Sequence, residues 1–218
     1  MPAAVLWDMD GTLVDSEPLW GVATYELAEK LGRPLTPELR ERTVGGSFAN
    51  TLSICAAHAG YKLKDGDYER FRNWMYKRMA ELFSGRLKPN PGIYGLLSSL
   101  RGAGVPMMVV TNTERELADV SIAAVGSDFF VGSIAGDEVA PKPAPDGYLE
   151  AARRVGARPQ DCLVFEDSWA GMSAAAAAGC HVLGLSDEVP EGVRSFDPSL
   201  FLGADHLHVS RWFVDLMR

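Results

Sequence analysis

The chain opens with an unbroken apolar run, Ala3-Ala4-Val5-Leu6-Trp7, that runs straight into Asp8-Met9-Asp10-Gly11. A short β-prone segment ending in carboxylates and Gly predicts a buried strand delivering acidic groups to a sheet edge, where a sharp turn begins. The period then changes. From Pro18 to Leu31 apolar residues recur near helical spacing, and Gly32 supplies a stop. Thr36-Pro37 starts a short helix through about Thr43, Gly45-Gly46 breaks it, and Ser47 caps a helix from Phe48 to Ala59. A further helix is expected from about Asp67 to Phe83. No strand candidate falls between residues 16 and 84.

Lys88-Pro89-Asn90-Pro91-Gly92 interrupts any regular element and marks a junction. Beyond it, helices are expected at Ile93 to Gly102, Glu114 to Val125, Pro145 to Val155 and Ala170 to Ala178. They alternate with strands at Pro106 to Val110, near Phe129 to Ala135, Cys162 to Phe165 and His181 to Leu185. Continuous apolar strands between helices signal a parallel sheet covered on both faces. The strand at the start of the chain must join that sheet. The expected fold class is therefore α/β, with a doubly wound parallel-sheet (Rossmann-like) core formed by residues 1–15 and 88–218. Residues 16–87 are an inserted all-helical cap over the strand ends. The alanine run Ala174 to Ala178 reads as a helix packed closely on the sheet. After a tail rich in Asp, Pro and Gly, His206-Leu207-His208-Val209 alternates as a short final strand, and Trp212 to Met217 as a terminal helical turn.

At 218 residues and 47% hydrophobic, the chain can bury a substantial core. A net charge of −8 and a pI near 5.0 exclude a general nucleic-acid or anionic-membrane surface, so an anionic small molecule must be held locally. No basic run precedes an apolar segment at the N-terminus and no stretch approaches 18 apolar residues, so a soluble cytoplasmic protein is expected. Oligomeric state is open, and a monomer fits. Cys55, Cys162 and Cys180 are too few and scattered for a disulfide framework or zinc site and read as buried reduced thiols.

Asp8 and Asp10 lie two residues apart, so an extended chain points both side chains the same way. Two adjacent carboxylates repel unless a cation or shared proton compensates. They could equally cap a turn or a helix. Taken singly, Thr111, Lys142 and Glu166-Asp167 read as a strand-end residue, a surface charge and a helix N-terminus. His206 and His208 could share a strand face as metal ligands, but no third ligand accompanies them. His58 and His181 read as structural.

The order of these pieces decides between the readings. Asp8 through Ser16 (Asp-Met-Asp-Gly-Thr-Leu-Val-Asp-Ser) resembles the first motif of the haloacid dehalogenase superfamily of phosphotransferases. Val109-Val110-Thr111-Asn112, Lys142-Pro143 and Val164-Phe165-Glu166-Asp167-Ser168 resemble its later motifs, in order. Within the superfamily the chain is most similar to capped sugar phosphatases and beta-phosphoglucomutases. The resemblance implies that Asp8 is a nucleophile forming an aspartyl phosphate and Asp10 a general acid and base. Thr111 and Lys142 would be catalytic donors around the phosphoryl oxygens, and Asn112 would contact substrate. It also implies a Mg2+ cofactor held by Asp8, Asp10, Glu166 and Asp167, an oxygen-rich set suited to a hard cation.

The expected activity is magnesium-dependent hydrolysis of a small phosphomonoester, with a sugar or polyol phosphate as substrate. The segment Asp15-Ser16-Glu17-Pro18-Leu19-Trp20 resembles that of hexose and hexitol phosphatases. Glu17, Trp20, Asn50 and Lys77 are the cap's candidates for contacting the substrate body, though Trp20 could be helix core. The alternatives are a beta-phosphoglucomutase-like mutase and, further off, a non-enzymatic binding protein on the same fold. Mutases of that type usually carry His at the position of Trp20 and a basic residue in the loop that here reads Gly45-Gly46-Ser47-Phe48-Ala49. Dehalogenation is disfavoured by Asp10 and Glu166-Asp167. Closure of the cap is expected to hinge near Val14 to Glu17 and Phe83 to Pro91.

Overall fold

The computed structural model describes residues 1–84 and 86–218. Its sheet is all parallel, with strands β1 (Ala4–Trp7), β2 (Met107–Val110), β3 (Gly132–Ile134), β4 (Cys162–Glu166), β5 (His181–Gly184) and β6 (Arg194–Ser195). The strand order is β3-β2-β1-β4-β5-β6. Leu6 pairs with Met108 on one side and Val164 on the other, so the first strand is central. Central strands have no water-facing side, which is why β1, β2 and β4 are apolar without alternation and buried throughout.

Helices α1 (Glu17–Lys30), α2 (Pro37–Glu41), α3 (Phe48–Ala59) and α4 (Asp67–Phe83) follow β1. Leu27, Leu52, Met75 and Met79 from these helices share a core cluster separate from those of the sheet, and Leu117 packs into it from outside the block. The later helices are α5 (Ile93–Gly102), α6 (Arg115–Val125), α7 (Asp146–Arg154), α8 (Trp169–Ala177) and α9 (His206–Leu216). Alternate residues of each strand point to opposite faces. Val5, Trp7, Val109, Leu163 and Phe165 pack with α5, α6 and α9, whereas Ala4, Leu6, Met108, Val110 and Val164 pack with α7 and α8. Trp7 and Phe165 stack with ring centroids 4.6 Å apart, joining adjacent strands on the first face.

The two chain segments that enter and leave the helical block lie side by side. Val14 and Pro89 form an antiparallel bridge, Asp15 N–H donates to Lys88 O, and Asn90 Nδ2 donates to Gly11 O at 3.0 Å and to Thr12 O at 2.9 Å. Among the described residues no helix is long and apolar enough to cross a membrane.

Two expectations at the level of elements are corrected, and one element is added. Residues 206–209 are the first turn of α9, not a strand. Asp205 accepts from the backbone of Leu207 and His208 in a capping box, and Val209 and Phe213, four apart, are the buried pair. Four alternating residues cannot distinguish a strand from the first turn of such a helix. The segment expected as a strand near Phe129 to Ala135 begins as a 3-10 turn, Ser127–Phe129, before β3. The two-residue edge strand β6 was not expected; its side chains are exposed and carry no hydrophobic pattern.

Candidate active site

In a sheet of this order the chain reverses its winding between β1 and β4, and ligands bind in the crevice at the carboxyl ends there. Asp8 follows β1 directly, Thr111 follows β2 and Glu166 ends β4. The apolar strands thus carry their polar ends to one place. The loop before α7 adds Lys142, positioned by its own N–H, which donates to Asn112 Oδ1 at 2.8 Å.

Lys142 Nζ donates to Asp8 Oδ1 at 2.7 Å, to Glu166 Oε1 at 2.6 Å and to Val110 O at 2.8 Å. An ammonium has three protons, so Lys142 is fully engaged. Both oxygens of Glu166 are engaged as well. Tyr148 O–H donates to Oε1, and the backbone N–H and hydroxyl of Ser168 donate to Oε2. Glu166 therefore braces Lys142 against the start of α8. A Cβ on Gly171 would overlap the Glu166 carboxylate, so glycine is what lets this helix approach. Gly11, at φ +89°, likewise leaves room for the Asp167 carboxylate.

Asp8 Oδ2, by contrast, is buried without a hydrogen-bond partner. Asp8, Glu166 and Asp167 each offer an oxygen within 4.8 Å of the others. Burial, then the Glu166 charge, pushes the Asp8 carboxyl up to about 8 against the pull of Lys142. Burial, then Asp8 and Glu166, pushes Asp167 well above the ordinary carboxylate range. Desolvation alone would depress Lys142, but Asp8 and Glu166 outweigh it and hold the ammonium charged. Two buried carboxyls on one amine, with the half-buried Asp167 beside them and one oxygen unpartnered, fit the oxygen donor set of a hard divalent cation.

Asp10 is held differently. Ser16 Oγ and Trp20 Nε1 donate to its Oδ1 at 2.6 and 3.0 Å, and Thr113 Oγ1 donates to Oδ2 at 2.7 Å. Thr111 Oγ1 accepts from Thr113 N–H at 3.0 Å, which leaves its proton to donate. These groups line one shared cavity, open to solvent, at the carboxyl ends of the strands.

Asp8, Asp10, Thr111, Asn112, Lys142, Asp167, Glu17 and Trp20 line this cavity together. Glu166 lies just behind it. Asn112 has little of its amide left for substrate, since Nδ2 donates to Gly45 O and Lys142 O. Asn50 and Lys77 are not brought in: both are exposed, Asn50 donates to Arg42 O, and Lys77 lies on the outer side of α4. Helical periodicity places Lys77 opposite the buried Met75, Met79 stripe. His206 and His208 serve α9 and its neighbour Ser99 rather than a metal. The thiols of Cys55 and Cys162 are buried and pushed up to about 11, as inert cysteines should be.

A family profile of haloacid dehalogenase-like hydrolases matches residues 2–179. The chain belongs to this family. Among the relatives of this hydrolase, a phosphorylated carbohydrates phosphatase of Thermotoga maritima is 33% identical over 192 residues, 87% of this chain and 88% of that protein. Hexitol phosphatase A of Escherichia coli is 34% identical, covering 83% of this chain and 82% of its own. A beta-phosphoglucomutase from Clostridium difficile superimposes with a TM-score of 0.85 over 100% of this chain and 99% of its own, at 19% identity, a likeness of fold.

Several residues of the hydrolase site escaped the sequence reading. Thr113 was visible as a second hydroxyl two residues after Thr111, on a segment already in view. Tyr148 lies within α7 and Arg40 in the charged segment Pro37-Glu38-Leu39-Arg40-Glu41. Neither carries a local signal, because their partners lie 18 and 23 residues away.

Proposed function

We propose that this hydrolase is a magnesium-dependent phosphomonoesterase acting on a small phosphorylated metabolite, a sugar or polyol phosphate, through an aspartyl phosphate on Asp8. The observation that carries the reading is the buried, unpartnered Oδ2 of Asp8 in a cavity that Asp10 and Asp167 also line. A dianionic phosphate cannot enter such a site without a further cation, since Lys142 is already spent on Asp8 and Glu166. Asp8 and Asp167 through their side chains, Asp10 through its carbonyl and Glu166 behind them would hold magnesium, which when bound neutralises phosphoryl charge.

Asp8 Oδ2 attacks phosphorus, the bond to the leaving oxygen breaks, and the Asp10 carboxyl protonates that oxygen to release the alcohol. The resulting Asp10 carboxylate takes a proton from water, which attacks phosphorus. The bond to Asp8 then breaks, leaving inorganic phosphate and restoring both side chains. Lys142 holds Asp8 in place, and Thr111 O–H donates to a phosphoryl oxygen. Ser16, Trp20 and Thr113 fix the Asp10 carboxyl where the leaving oxygen arrives. Residues 16–87 act as a cap, and its paired crossing strands at Val14 and Pro89 serve as the hinge.

The mutase reading requires a cation to hold a second phosphate. Among the described residues, the cavity's cations are Lys142 and Arg40, and both are ion-paired. Inorganic phosphate release from sugar, polyol, nucleotide and glycolate phosphates tests the proposal. Release should be confined to a few members, stop with chelator and be lost in Asp8→Asn. Conversion of beta-glucose 1-phosphate to glucose 6-phosphate without net release would instead establish the mutase.

A further inference from the structure

The helical block closes the cavity with an ion pair. Arg40 of α2 donates through Nη2 to Glu17 Oε2 at 2.7 Å and Glu17 O at 3.3 Å, and through Nη1 to Thr43 Oγ1 at 3.0 Å. The Arg40 side chain is 12% exposed and that of Glu17 29%. Both residues line the catalytic cavity, and both also line an outer groove with Pro18, Val22, Tyr25 and Val44. The pair is therefore the partition between the two spaces and forms part of the wall that the organic portion of a substrate meets.

We propose that the Glu17–Arg40 pair selects phosphomonoesters whose organic part is neutral and hydroxylated, and rejects those carrying a second negative charge. The inference rests on the phosphatase reading and adds the charge class of its substrate. A guanidinium has five N–H donors, of which three are engaged, leaving donors for a hydroxyl. Glu17 supplies acceptor lone pairs beside them, and Thr24 and Thr51 line the same cavity, while the Thr43 hydroxyl is taken up by Arg40. A vicinal diol matches this alternation of donor and acceptor. A carboxylate or second phosphate would meet an arginine already neutralised and a glutamate that repels it, with Asp10 contributing to the same field. Selection thus comes from the pairing of Arg40, and either partner alone would reverse or exaggerate it.

Sorbitol 6-phosphate and 6-phosphogluconate share a six-carbon chain and a phosphate and differ at the far end in one carboxylate. The wild-type protein with magnesium should favour the polyol in kcat/KM by at least about tenfold. Glu17→Gln keeps the shape and frees the Arg40 charge, so the ratio should move toward the acid by about tenfold or more. Arg40→Gln leaves Glu17 unopposed and should move the ratio the other way. Equal losses on both substrates, in variants whose melting matches the wild type, would make the pair a structural strut and overturn the proposal. Should the wild type release phosphate from neither while the panel above releases none, the phosphatase reading fails on its own. Calorimetric binding of the two ligands to the same three proteins then decides the pair: the opposed shifts uphold it, and an unchanged preference sinks it.

Discussion

The floor and the roof of the cavity both rest on ion pairs, but they differ in how those pairs are held. On the floor, Lys142, Asp8 and Glu166 are 9%, 6% and 0% exposed; Asp8 and Glu166 hang from central strands that cannot shift without disturbing the sheet, and Lys142 reaches them from the loop before α7. Desolvation there raises carboxyl pKa values and makes each charge depend on its neighbours. On the roof, Glu17 and Arg40 sit near the ends of α1 and α2, half-open to an outer groove. Under the proposed function the floor supplies reactivity and the roof discrimination. Changes to the floor should therefore cost activity and stability together, whereas changes to the roof should redistribute substrates.

The harshest way to break this contrast is Lys142→Met. It strands two buried carboxylates, which costs about 3–5 kcal/mol of stability where a buried pair loses one partner. The kcat should fall by about 10²–10³, the scale for losing one preorganised charge donor. Denaturant unfolding and steady-state phosphate release check both, and a stable variant of near-normal kcat would dissolve the distinction between floor and roof.

Magnesium sharpens the same contrast through pH. In the metal-free protein Asp8 and Asp167 hold protons that the unfolded chain, with carboxyls near 3.8, gives up. Their contribution to stability is therefore greatest at low pH and declines as pH rises toward 8, the folded value of Asp8. A cation must displace those protons, so magnesium affinity should rise with pH across that window, by roughly tenfold per unit for each proton released. Calorimetric titration and the magnesium-induced rise in Tm at pH 6 and pH 8 test this. Equal rises at both values would contradict it.

The mildest test is Trp20→Phe, which removes a roof residue's hold on a floor residue. Asp10 keeps Ser16 and Thr113, so one hydrogen bond of about 0.5–1.5 kcal/mol is lost. The kcat should fall about threefold to tenfold with KM little changed. A rise in KM at constant kcat would return Trp20 to the substrate-contacting role expected from sequence.

Wherever one short stretch contains its own cause, the sequence was sufficient. Ser47 caps α3 and the helix runs from Phe48 to Ala59 as expected, because a cap and a left-handed stop, here Gly60, act within a few residues. The apolar runs Ala3 to Trp7, Pro106 to Val110 and Cys162 to Phe165 declared buried parallel strands, and a group of the floor follows each. By itself the sequence determined the α/β class, the run of helices between the first strand and the rest of the sheet, and the carboxylate and hydroxyl motifs at the ends of β1, β2 and β4. Tertiary structure alone decided that Glu166 braces Lys142 instead of standing free, and that Trp20 and Thr113 hold Asp10. It also placed Arg40, which reads as a surface charge, in the roof, and left Asn50 and Lys77 outside. The physical reason is range: capping and burial periodicity are set by near neighbours. A carboxylate's hydrogen bonds depend on which distant donors the packed sheet and helices bring within about 3 Å.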